Sequence, residues 1–363
     1  MKERQLADLR AQLRARSLDA LLITHPSNRF YLSGYTATDI APNESAGALL
    51  LTPDATYLIT GGTNENQARA QAPGFTIVRR EGGMPKTLAG LLERHAIARL
   101  GFEEDATLVA LHGGIAAVTD GAVELVPVGE LVSELRLIKT AEELALIERA
   151  VAVTDAAYEA VFATMRPEQT EREVAWALER ALRARGADAL AFPIIVAAGT
   201  NGAFAHHEPG DTPLGVGLPI TIDMGAQVAG YAADLTRTVI LGEPTERART
   251  VYRTLRRAVE AVEGGVRAGM TGAATDALAR DLIAEAGFGD YFVHGLGHGV
   301  GVRVHEAPSA APGIEATLPI GATLTIEPGI YIPDWGGARI EDLVVIEETG
   351  ARVLTRASKQ DVE

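Results

Sequence analysis

The chain has 363 residues, 47% hydrophobic and 22% charged, which is the balance of a soluble globular protein long enough for two domains. Its formal charge of −15 argues against nucleic acid and anionic membranes as partners, because both attract basic surfaces. Cysteine is absent, which excludes disulfides and thiolate ligands. No apolar run has the length of a signal peptide or a membrane span, so we expect a cytoplasmic protein.

Residues 1–133 form the first predicted domain, in which helix-like and strand-like stretches alternate as in mixed α/β folds. The second predicted domain, residues 134–363, opens with a helix. Thr140 and Glu143 have the spacing of a capping box, which predicts that this helix begins at Thr140 and runs toward Met165.

The second domain contains a weak internal repeat. A further helix is predicted between Thr170, which has a glutamate three residues later, and the terminating Gly186. The series Arg166, Thr170 and Gly186 recurs 101 residues later as Arg267, Thr271 and Gly287. Either the domain duplicates a helix-and-hairpin unit, or threonine and glycine recur because they are common helix caps.

Two strand-like runs, residues 220–226 and 231–240, follow each other closely enough to form a hairpin. If the loop is centred on residues 228–229, Asp223 and Asp234 lie directly opposite each other, with Cβ atoms about 5 Å apart. Such carboxylates repel each other but can share a cation. The alternative is that each aspartate solvates an edge or a turn, although the apolar neighbours of Asp223 argue against this.

Histidines are concentrated in two segments around this hairpin, the polar loop 205–211 and the glycine-rich run HGLGHGVGVRVH at 294–305. Their histidines are His206, His207, His294, His298 and His305. Glycine at every second position from 295 to 301 disfavours a helix and predicts an extended or looped backbone. A lone histidine is often a satisfied core residue, but this clustering suits proton transfer near neutral pH.

Two further acids lie in apolar strand-like segments. Glu327 ends the strand-like run 324–326 before a Pro-Gly turn, and Glu341 interrupts the apolar run 338–346. Each could merely solvate the end of a strand. The sequence has neither a Gly-x-Ser-x-Gly elbow nor a phosphate-binding Gly-Lys-Ser/Thr loop, so serine-nucleophile and nucleotide chemistry are not indicated.

Four carboxylates and one imidazole are donors that two neighbouring divalent cations would need. They are Asp223, Asp234, His298, Glu327 and Glu341. In this order they resemble the ligands of the pita-bread metallopeptidases, which comprise Xaa-Pro dipeptidases (prolidases), Xaa-Pro aminopeptidases (aminopeptidase P) and methionine aminopeptidases. The resemblance implies that Asp223 chelates one ion, that Asp234 and Glu341 bridge both, and that His298 and Glu327 complete the second.

The resemblance extends to the substrate side. The loop that begins at His206 is similar to the family's His-x-x-Pro-x-Asp element, whose first histidine faces the substrate. His294, His305 and Arg339 match positions that handle substrate or proton transfer in the Xaa-Pro enzymes. The loop departs from many relatives because Ala205 replaces a proline before the first histidine and a second histidine follows it.

Residues 18–35 resemble the amino-terminal domain shared by prolidases, aminopeptidase P and creatinase, and residues 135–143 resemble the junction to the catalytic half. Simple methionine aminopeptidases lack that domain, and creatinase lacks the ligand set. We therefore expect an α/β (α+β) protein with an N-terminal creatinase-like α/β domain and a C-terminal pita-bread catalytic domain with a pseudo-two-fold repeat. A homodimer is expected from the resemblance alone.

The predicted activity is hydrolysis of the Xaa-Pro bond at the N-terminus of short proline-containing peptides, either as a dipeptidase or as an aminopeptidase of longer peptides. The oxygen-rich donor set with one imidazole and no sulfur favours borderline-to-hard divalent ions, among which manganese, cobalt, zinc and iron all remain open. Manganese is our first expectation. Two cations would acidify a bridging water and polarise the carbonyl. His206 or His305 would stabilise the oxyanion, and Glu327 would carry the proton to the leaving nitrogen. The alternative is a metal-free pita-bread protein that binds peptides or partners without cleaving them.

Overall fold

A computed structural model describes residues 2–41 and 43–362 of the chain. The chain divides after Leu135 into two compact units, and each of them mixes helices and strands. Among the described residues, no helix combines the length and the apolar character that a membrane span requires.

The N-terminal unit contains one mixed sheet. Its strands are β1 (Ala20–Ile23), β2 (Gly47–Leu51), β3 (Thr56–Thr60), β4 (Thr76–Arg79), β5 (Arg99–Phe102) and β6 (Glu124–Pro127). Its helices are α1 (Lys2–Ala15), α2 (Pro26–Ser33), α3 (Glu65–Gln71), α4 (Met84–Arg94), α5 (Val109–Val118) and the beginning of α6 (Leu131–Leu137). In the described part of the chain the strand order is β4-β3-β2-β1-β5-β6. Leu22 and Leu50 of the sheet share an apolar core with Leu88 of α4.

The C-terminal unit contains longer helices and several small sheets. Its helices are α7 (Ala141–Phe162), α8 (Glu171–Ala184), α9 (Glu246–Gly265) and α10 (Gly272–Glu285), and 3-10 turns span Gly199–Ala203 and Gly289–Tyr291. Its strands are β7 (Ala189–Leu190), β8 (Ile195–Ala198), β9 (Pro219–Met224), β10 (Ala226–Val228), β11 (Tyr231–Ala232), β12 (Leu235–Ile240), β13 (Gly297–Gly299), β14 (Glu306–Ala310), β15 (Thr323–Ile326), β16 (Gly329–Ile332), β17 (Gly336–Arg339), β18 (Asp342–Glu347) and β19 (Gly350–Val353). The predicted helix starts are confirmed, because Thr140 and Thr170 each form a capping box with the glutamate three residues later.

The C-terminal unit consists of two similar halves. The first has α7, α8 and the antiparallel pair β9 and β12, and the second has α9, α10 and the antiparallel pair β15 and β18. Thr170, the N-cap of α8, forms an isolated antiparallel β-bridge with Pro213. Thr271, the N-cap of α10, forms the same kind of β-bridge with Thr317. The threonines therefore cap helices and also occupy equivalent places, so the predicted pseudo-two-fold repeat is confirmed.

The hairpin of the first half differs from the prediction in its register. Thr236, rather than Asp234, pairs with Asp223. The reason is the turn, which lies one residue later than expected. Ala229 and Gly230 have φ values of 50° and 83°, and two positive φ angles in succession are typical of a tight two-residue hairpin turn.

The predicted strands around the acids are also interrupted. The first strand of the hairpin is divided at Gly225, where a Cβ atom would overlap the carbonyl oxygen of Ala233. The second is divided just before β12, and Asp234 occupies this break. In the second half, Glu341 occupies the matching break between β17 and β18, where the sequence had predicted one continuous strand. Interruptions of this kind change the direction of side chains locally.

Candidate metal centre

The four acids come from equivalent places in the two halves of the C-terminal unit. Asp223 lies near the end of β9, and Glu327 directly follows β15, the corresponding strand. Asp234 directly precedes β12, and Glu341 directly precedes β18. The repeat therefore contributes the acids as two related pairs.

Three of these acids form a tight cluster. Asp223, Asp234 and Glu341 each offer a carboxylate oxygen within 4.8 Å of the others. Asp234 and Glu341 are buried, and the side chain of Asp223 is 13% exposed. Within the described residues, Asp223 Oδ1 and Glu341 Oε1 are buried oxygens without a hydrogen-bond partner. Unsatisfied buried oxygens are costly unless a cation binds them, so this donor set fits a divalent ion.

His298 and Glu327 lie beside this cluster. His298 Nε2 is 3.1 Å from Glu327 Oε1 and 3.8 Å from Asp234 Oδ2. His298 Nδ1 lies 3.1 Å from the carbonyl oxygen of Gly299, to which it donates in the neutral tautomer. Without a cation, a proton on Nε2 faces Glu327 Oε1, and the bond and charge of Glu327 outweigh burial and raise the pKa of His298. A bound cation would take the place of that proton on Nε2. The structure thus brings together all five residues that the sequence suggested as ligands.

The glycine-rich segment is extended at His298, as predicted. β13 contains this histidine, and Thr325 Oγ1 accepts its backbone N–H at 2.9 Å while donating to Glu327 Oε1 at 3.0 Å. A Cβ atom at position 297 would overlap the carbonyl oxygen of Thr325. Gly297 therefore permits the close approach that brings His298 to Glu327.

The cluster concentrates negative charge in a buried place. Burial raises the pKa of Asp234 well above its ordinary value, and the charges of Glu341 and Asp223 raise it further. The pKa of Glu341 is raised well above its ordinary value by burial, then by Glu327 and Asp223. Burial also raises the pKa of Glu327, but the hydrogen bond and charge of His298 outweigh it and lower that pKa to about 2. A bound cation would relieve this repulsion.

Arg339 is a buried cation beside the acids. Its Nη2 donates to Asp223 Oδ2 at 2.7 Å, its Nε donates to Thr236 Oγ1 at 3.1 Å, and its Nη1 donates to the Tyr331 hydroxyl at 2.5 Å. Burial raises the pKa of Asp223, whereas the charge of Arg339 opposes that shift. Arg339 therefore fixes the direction of the Asp223 carboxylate.

His294 is joined to the same network through Tyr331. The Tyr331 hydroxyl is 3.0 Å from His294 Nε2, and His294 Nδ1 is 2.7 Å from the carbonyl oxygen of Gly295. Burial lowers the pKa of His294, which favours a neutral ring. Arg280, paired with Asp276, donates to the backbone carbonyl of His294 at 2.7 Å. His294 is thus held on both its ring and its backbone.

A cleft of about 670 Å³ surrounds these groups. It is lined by the five suggested ligands and by the other four residues that the sequence selected, His206, His294, His305 and Arg339. The ring of His305 contacts that of His298 almost perpendicularly, with centroids 4.3 Å apart. Phe192, Ile194 and Val293 add an apolar part to the wall. The cleft could therefore hold a small, partly apolar molecule beside the acids.

Several residues of the site were not anticipated from the sequence. Tyr331 connects Arg339 to His294, and Thr236 donates to Glu341 Oε2 at 2.8 Å as well as accepting from Arg339. Glu171, at the start of α8, binds the loop that carries His206. Most of their partners lie 36 or more positions away in the sequence, and Tyr331 meets Arg339 across the β16–β17 hairpin, eight positions on, so no local pattern marks them. A hydroxyl in an otherwise apolar strand, as at Tyr331, was the one available indication.

Known proteins share both units of this chain. Residues 145–348 match Metallopeptidase family M24, and residues 5–138 match the Creatinase/Prolidase N-terminal domain. An uncharacterised peptidase of Bacillus subtilis, YqhT, is 39% identical over 360 residues, which is 99% of each chain. Among solved structures, an Xaa-Pro dipeptidase from Bacillus anthracis has a TM-score of 0.93 at 35% identity and covers 100% of this chain and 99% of its own. An X-Pro aminopeptidase from Thermotoga maritima has a TM-score of 0.85 at 31% identity and covers 95% and 97%.

A buried cluster of carboxylates with an imidazole beside it, open to a cleft, is typical of metal-dependent hydrolases. The two matches together account for most of both units. The chain belongs to Metallopeptidase family M24.

Proposed function

We propose that the protein is a dinuclear metal-dependent exopeptidase that hydrolyses the Xaa-Pro bond at the N-terminus of short peptides. The observation that best supports this is the cluster of Asp223, Asp234 and Glu341 within 4.8 Å, with unsatisfied buried oxygens. Similar solved structures carry the names Xaa-Pro dipeptidase and X-Pro aminopeptidase. A metal-free binding protein is disfavoured, because such a role would not require repelling carboxylates in a buried place.

We assign the five clustered residues to two divalent ions. Asp223 would hold one ion, His298 and Glu327 would hold the other, and Asp234 and Glu341 would contact both. When bound, such ions increase the acidity of water and polarise a peptide carbonyl. The oxygen-rich donor set without sulfur suits borderline-to-hard divalent ions, and among Mn²⁺, Co²⁺, Zn²⁺ and Fe²⁺ we propose Mn²⁺.

The remaining side chains would orient the substrate and move protons. His298 and Thr325 both contact Glu327 through Oε1. We therefore propose that the other oxygen, Oε2, accepts the proton and passes it to the leaving nitrogen. His206 and His305 line the cleft on separate segments, and either can donate a hydrogen bond to the oxyanion. His294 and Arg339 would orient the peptide or relay protons.

The apolar part of the cleft wall would explain a preference for proline after the cleaved bond. The bond before proline is a tertiary amide without an N–H, so the site must recognise the ring by its shape. Phe192, Ile194 and Val293 supply apolar surface in the cleft. This surface would contact the ring and keep water from the reacting bond.

Two specificities differ in the length of the peptide substrate. The protein cleaves either dipeptides alone, as in prolidase, or longer peptides, as in aminopeptidase P. We also retain a cytoplasmic location and a homodimer as proposals, the first because the chain has no cysteine and the second because of the family resemblance.

The experiment compares Xaa-Pro, Xaa-Pro-Yaa-Yaa and the matched Xaa-Ala peptides, using protein stripped by a chelator and then given Mn²⁺. We expect cleavage only with Mn²⁺ and only before proline. The ratio of the first two rates separates prolidase from aminopeptidase specificity. Equal cleavage of the Xaa-Ala peptide would refute the proline requirement, and full activity in the stripped protein would refute the metal requirement.

A further inference from the structure

The second histidine of the loop, His207, does not join the metal cluster. Its Nε2 lies 2.9 Å from Glu171 Oε2, to which it donates. The side chain of Glu171 is completely buried, and that of His207 is 17% exposed. The second histidine, which departs from the loop sequence of many relatives, is therefore hydrogen-bonded to a residue of α8.

Glu171 receives hydrogen bonds from both sides of His206. Its Oε1 accepts the backbone N–H of Ala198 at 2.8 Å and the side-chain amide of Asn201 at 2.9 Å. Its Oε2 accepts the backbone N–H of Gly210 at 3.0 Å in addition to the His207 ring. Burial raises the pKa of Glu171, but these bonds outweigh it, so the pKa is lowered and the side chain stays ionised. One buried carboxylate thus holds the segment before His206 and the segment after it.

The helix N-terminus that carries the Glu171 carboxylate is fixed by several hydrogen bonds. Glu171 is the first residue of α8, whose N-terminus is fixed by the capping box of Thr170 and Glu173. The backbone N–H groups of Glu171 and Arg172 also donate to loop carbonyl oxygens, those of Thr212 and Gly210. A negative side chain is favoured at a helix N-terminus. The loop is therefore attached to a helix rather than to another loop.

We infer that Glu171 is a positioning residue, which sets the place of His206 in the cleft by holding Ala198, Asn201, His207 and Gly210. Glu171 lies outside the residues that line the cleft, so it acts through the loop and not on the peptide. The kinetic part of this inference rests on the proposed role of His206. The structural part, that Glu171 immobilises the loop, does not.

The expected effect of losing the carboxylate is kinetic. In Glu171→Gln the amide nitrogen must face one of the N–H donors, so at least one backbone bond is lost and the loop loosens. A catalytic group displaced by about 1 Å can lower a rate by up to about 100-fold. We expect kcat to fall at least about tenfold with KM changed less than about threefold, because His206 would act on the oxyanion rather than on the bound peptide.

The test uses the full chain loaded with Mn²⁺ and an Xaa-Pro peptide. The matched control is Glu173→Gln, which removes the same charge from the same turn and keeps the capping box. It should stay within about twofold of the parent. Each glutamine variant is then combined with His206→Ala. If Glu171 acts through His206, Glu171→Gln should lose about tenfold in the parent but less than about twofold in the His206→Ala background.

Hydrogen exchange supplies a readout that does not depend on activity. The amides of Ala198 and Gly210 should exchange faster in Glu171→Gln than in Glu173→Gln, while β9 and β12 remain protected. If Glu171→Gln does not fold, His207→Asn is measured in the same way. Unchanged exchange in these amides, or an equal loss of kcat with and without His206, would overturn the inference. Faster exchange in a protein that cleaves no Xaa-Pro peptide would uphold the loop contact and refute only the proposed function.

Discussion

The carboxylates that we propose as metal ligands repel one another in the metal-free protein, because burial and the neighbouring negative charges raise the pKa values of both Asp234 and Glu341. The neighbouring cation Arg339 is directed at Asp223. Ligands that are poorly tolerated without an ion serve binding rather than folding, so their removal should affect activity and stability in opposite directions.

Asp234→Asn tests this opposition. We expect kcat/KM for Xaa-Pro to fall by at least about 100-fold, because a ligand is lost. In the metal-free state near neutral pH the melting temperature should rise by a few degrees, because the raised pKa of this carboxyl costs stability above its ordinary pKa and the amide does not titrate. The rise in melting temperature that Mn²⁺ gives the parent should be much smaller. Calorimetry with and without Mn²⁺ measures both effects, and a variant that keeps its activity and its Mn²⁺-dependent shift would remove Asp234 from the centre. His298→Ala should likewise lose activity while remaining folded.

The two neighbouring histidines of the loop should differ. His206 lines the cleft and is exposed, whereas His207 is bound to Glu171. We expect His206→Ala to lower kcat by about 100- to 1,000-fold, the range for removing an oxyanion donor, and His207→Ala by only about tenfold. Steady-state kinetics of the two variants with one peptide decides the point. Losses of equal size would mean that the oxyanion role is wrongly assigned.

The five suggested ligands could be selected from the sequence because charged residues in apolar strands require partners. Their supporting residues could not. Thr236 reaches Glu341, and Arg339 reaches Asp223, over more than 100 positions of sequence. No local periodicity encodes such pairs. The register error at Asp223 has a different cause, since one residue in the position of a turn moves the pairing by two.

At the scale of elements, the two halves repeat one arrangement. In each half a helix pair is followed by antiparallel strands, and an interruption lies directly before the second strand of the pair, β12 or β18. The acids Asp234 and Glu341 occupy these interruptions. The capping boxes of α7 and α8 were predictable because they are local patterns. The interruptions were not, because they depend on contacts such as the close approach of Gly225 to Ala233.

A second acidic pair, the partly buried Glu263 and the buried Asp342, joins α9 to β18 and gives a pH-dependent prediction. Burial, followed by the contact with Asp342, raises the pKa of Glu263 to about 7 from an ordinary value of 4.5. Lys359 Nζ lies 3.4 Å from Glu263 Oε1 and 2.5 Å from Asp342 Oδ2. The folded state therefore binds the Glu263 proton more tightly than the unfolded state, and the unfolding free energy should fall as pH rises from about 4.5 to about 7.

Glu263→Gln should remove this dependence. We expect the variant to be about 1–2 kcal/mol more stable than the parent at pH 8 and equal to it at pH 4.5, an amount reduced for the partial exposure of the side chain. The control is Glu260→Gln on the exposed side of the same helix, which should show no such dependence. Denaturant unfolding across this pH range provides the measurement. A stability difference that does not change with pH would contradict the assignment of the titration to Glu263.

At the scale of the whole molecule, fold class and family followed from motifs in both parts of the chain, residues 18–35 and 135–143, together with the ordered ligand series. Mixed helices and strands were evident from local patterns in each part. The convergence of side chains from Asp223 to Glu341 on one point was not a local property. It was expected only because the series resembles a known family, and the structure supplies the geometry behind that resemblance.

The central claim is that these five side chains hold two divalent ions for hydrolysis before proline. The most direct measurement is a titration of the chelator-stripped protein with Mn²⁺, in which bound metal per chain and cleavage of an Xaa-Pro peptide are followed together. We predict two ions per chain in the parent, activity that rises with their binding, and a clear loss of both in Asp234→Asn. A parent that binds no Mn²⁺, or that cleaves the peptide equally well without it, would contradict the account.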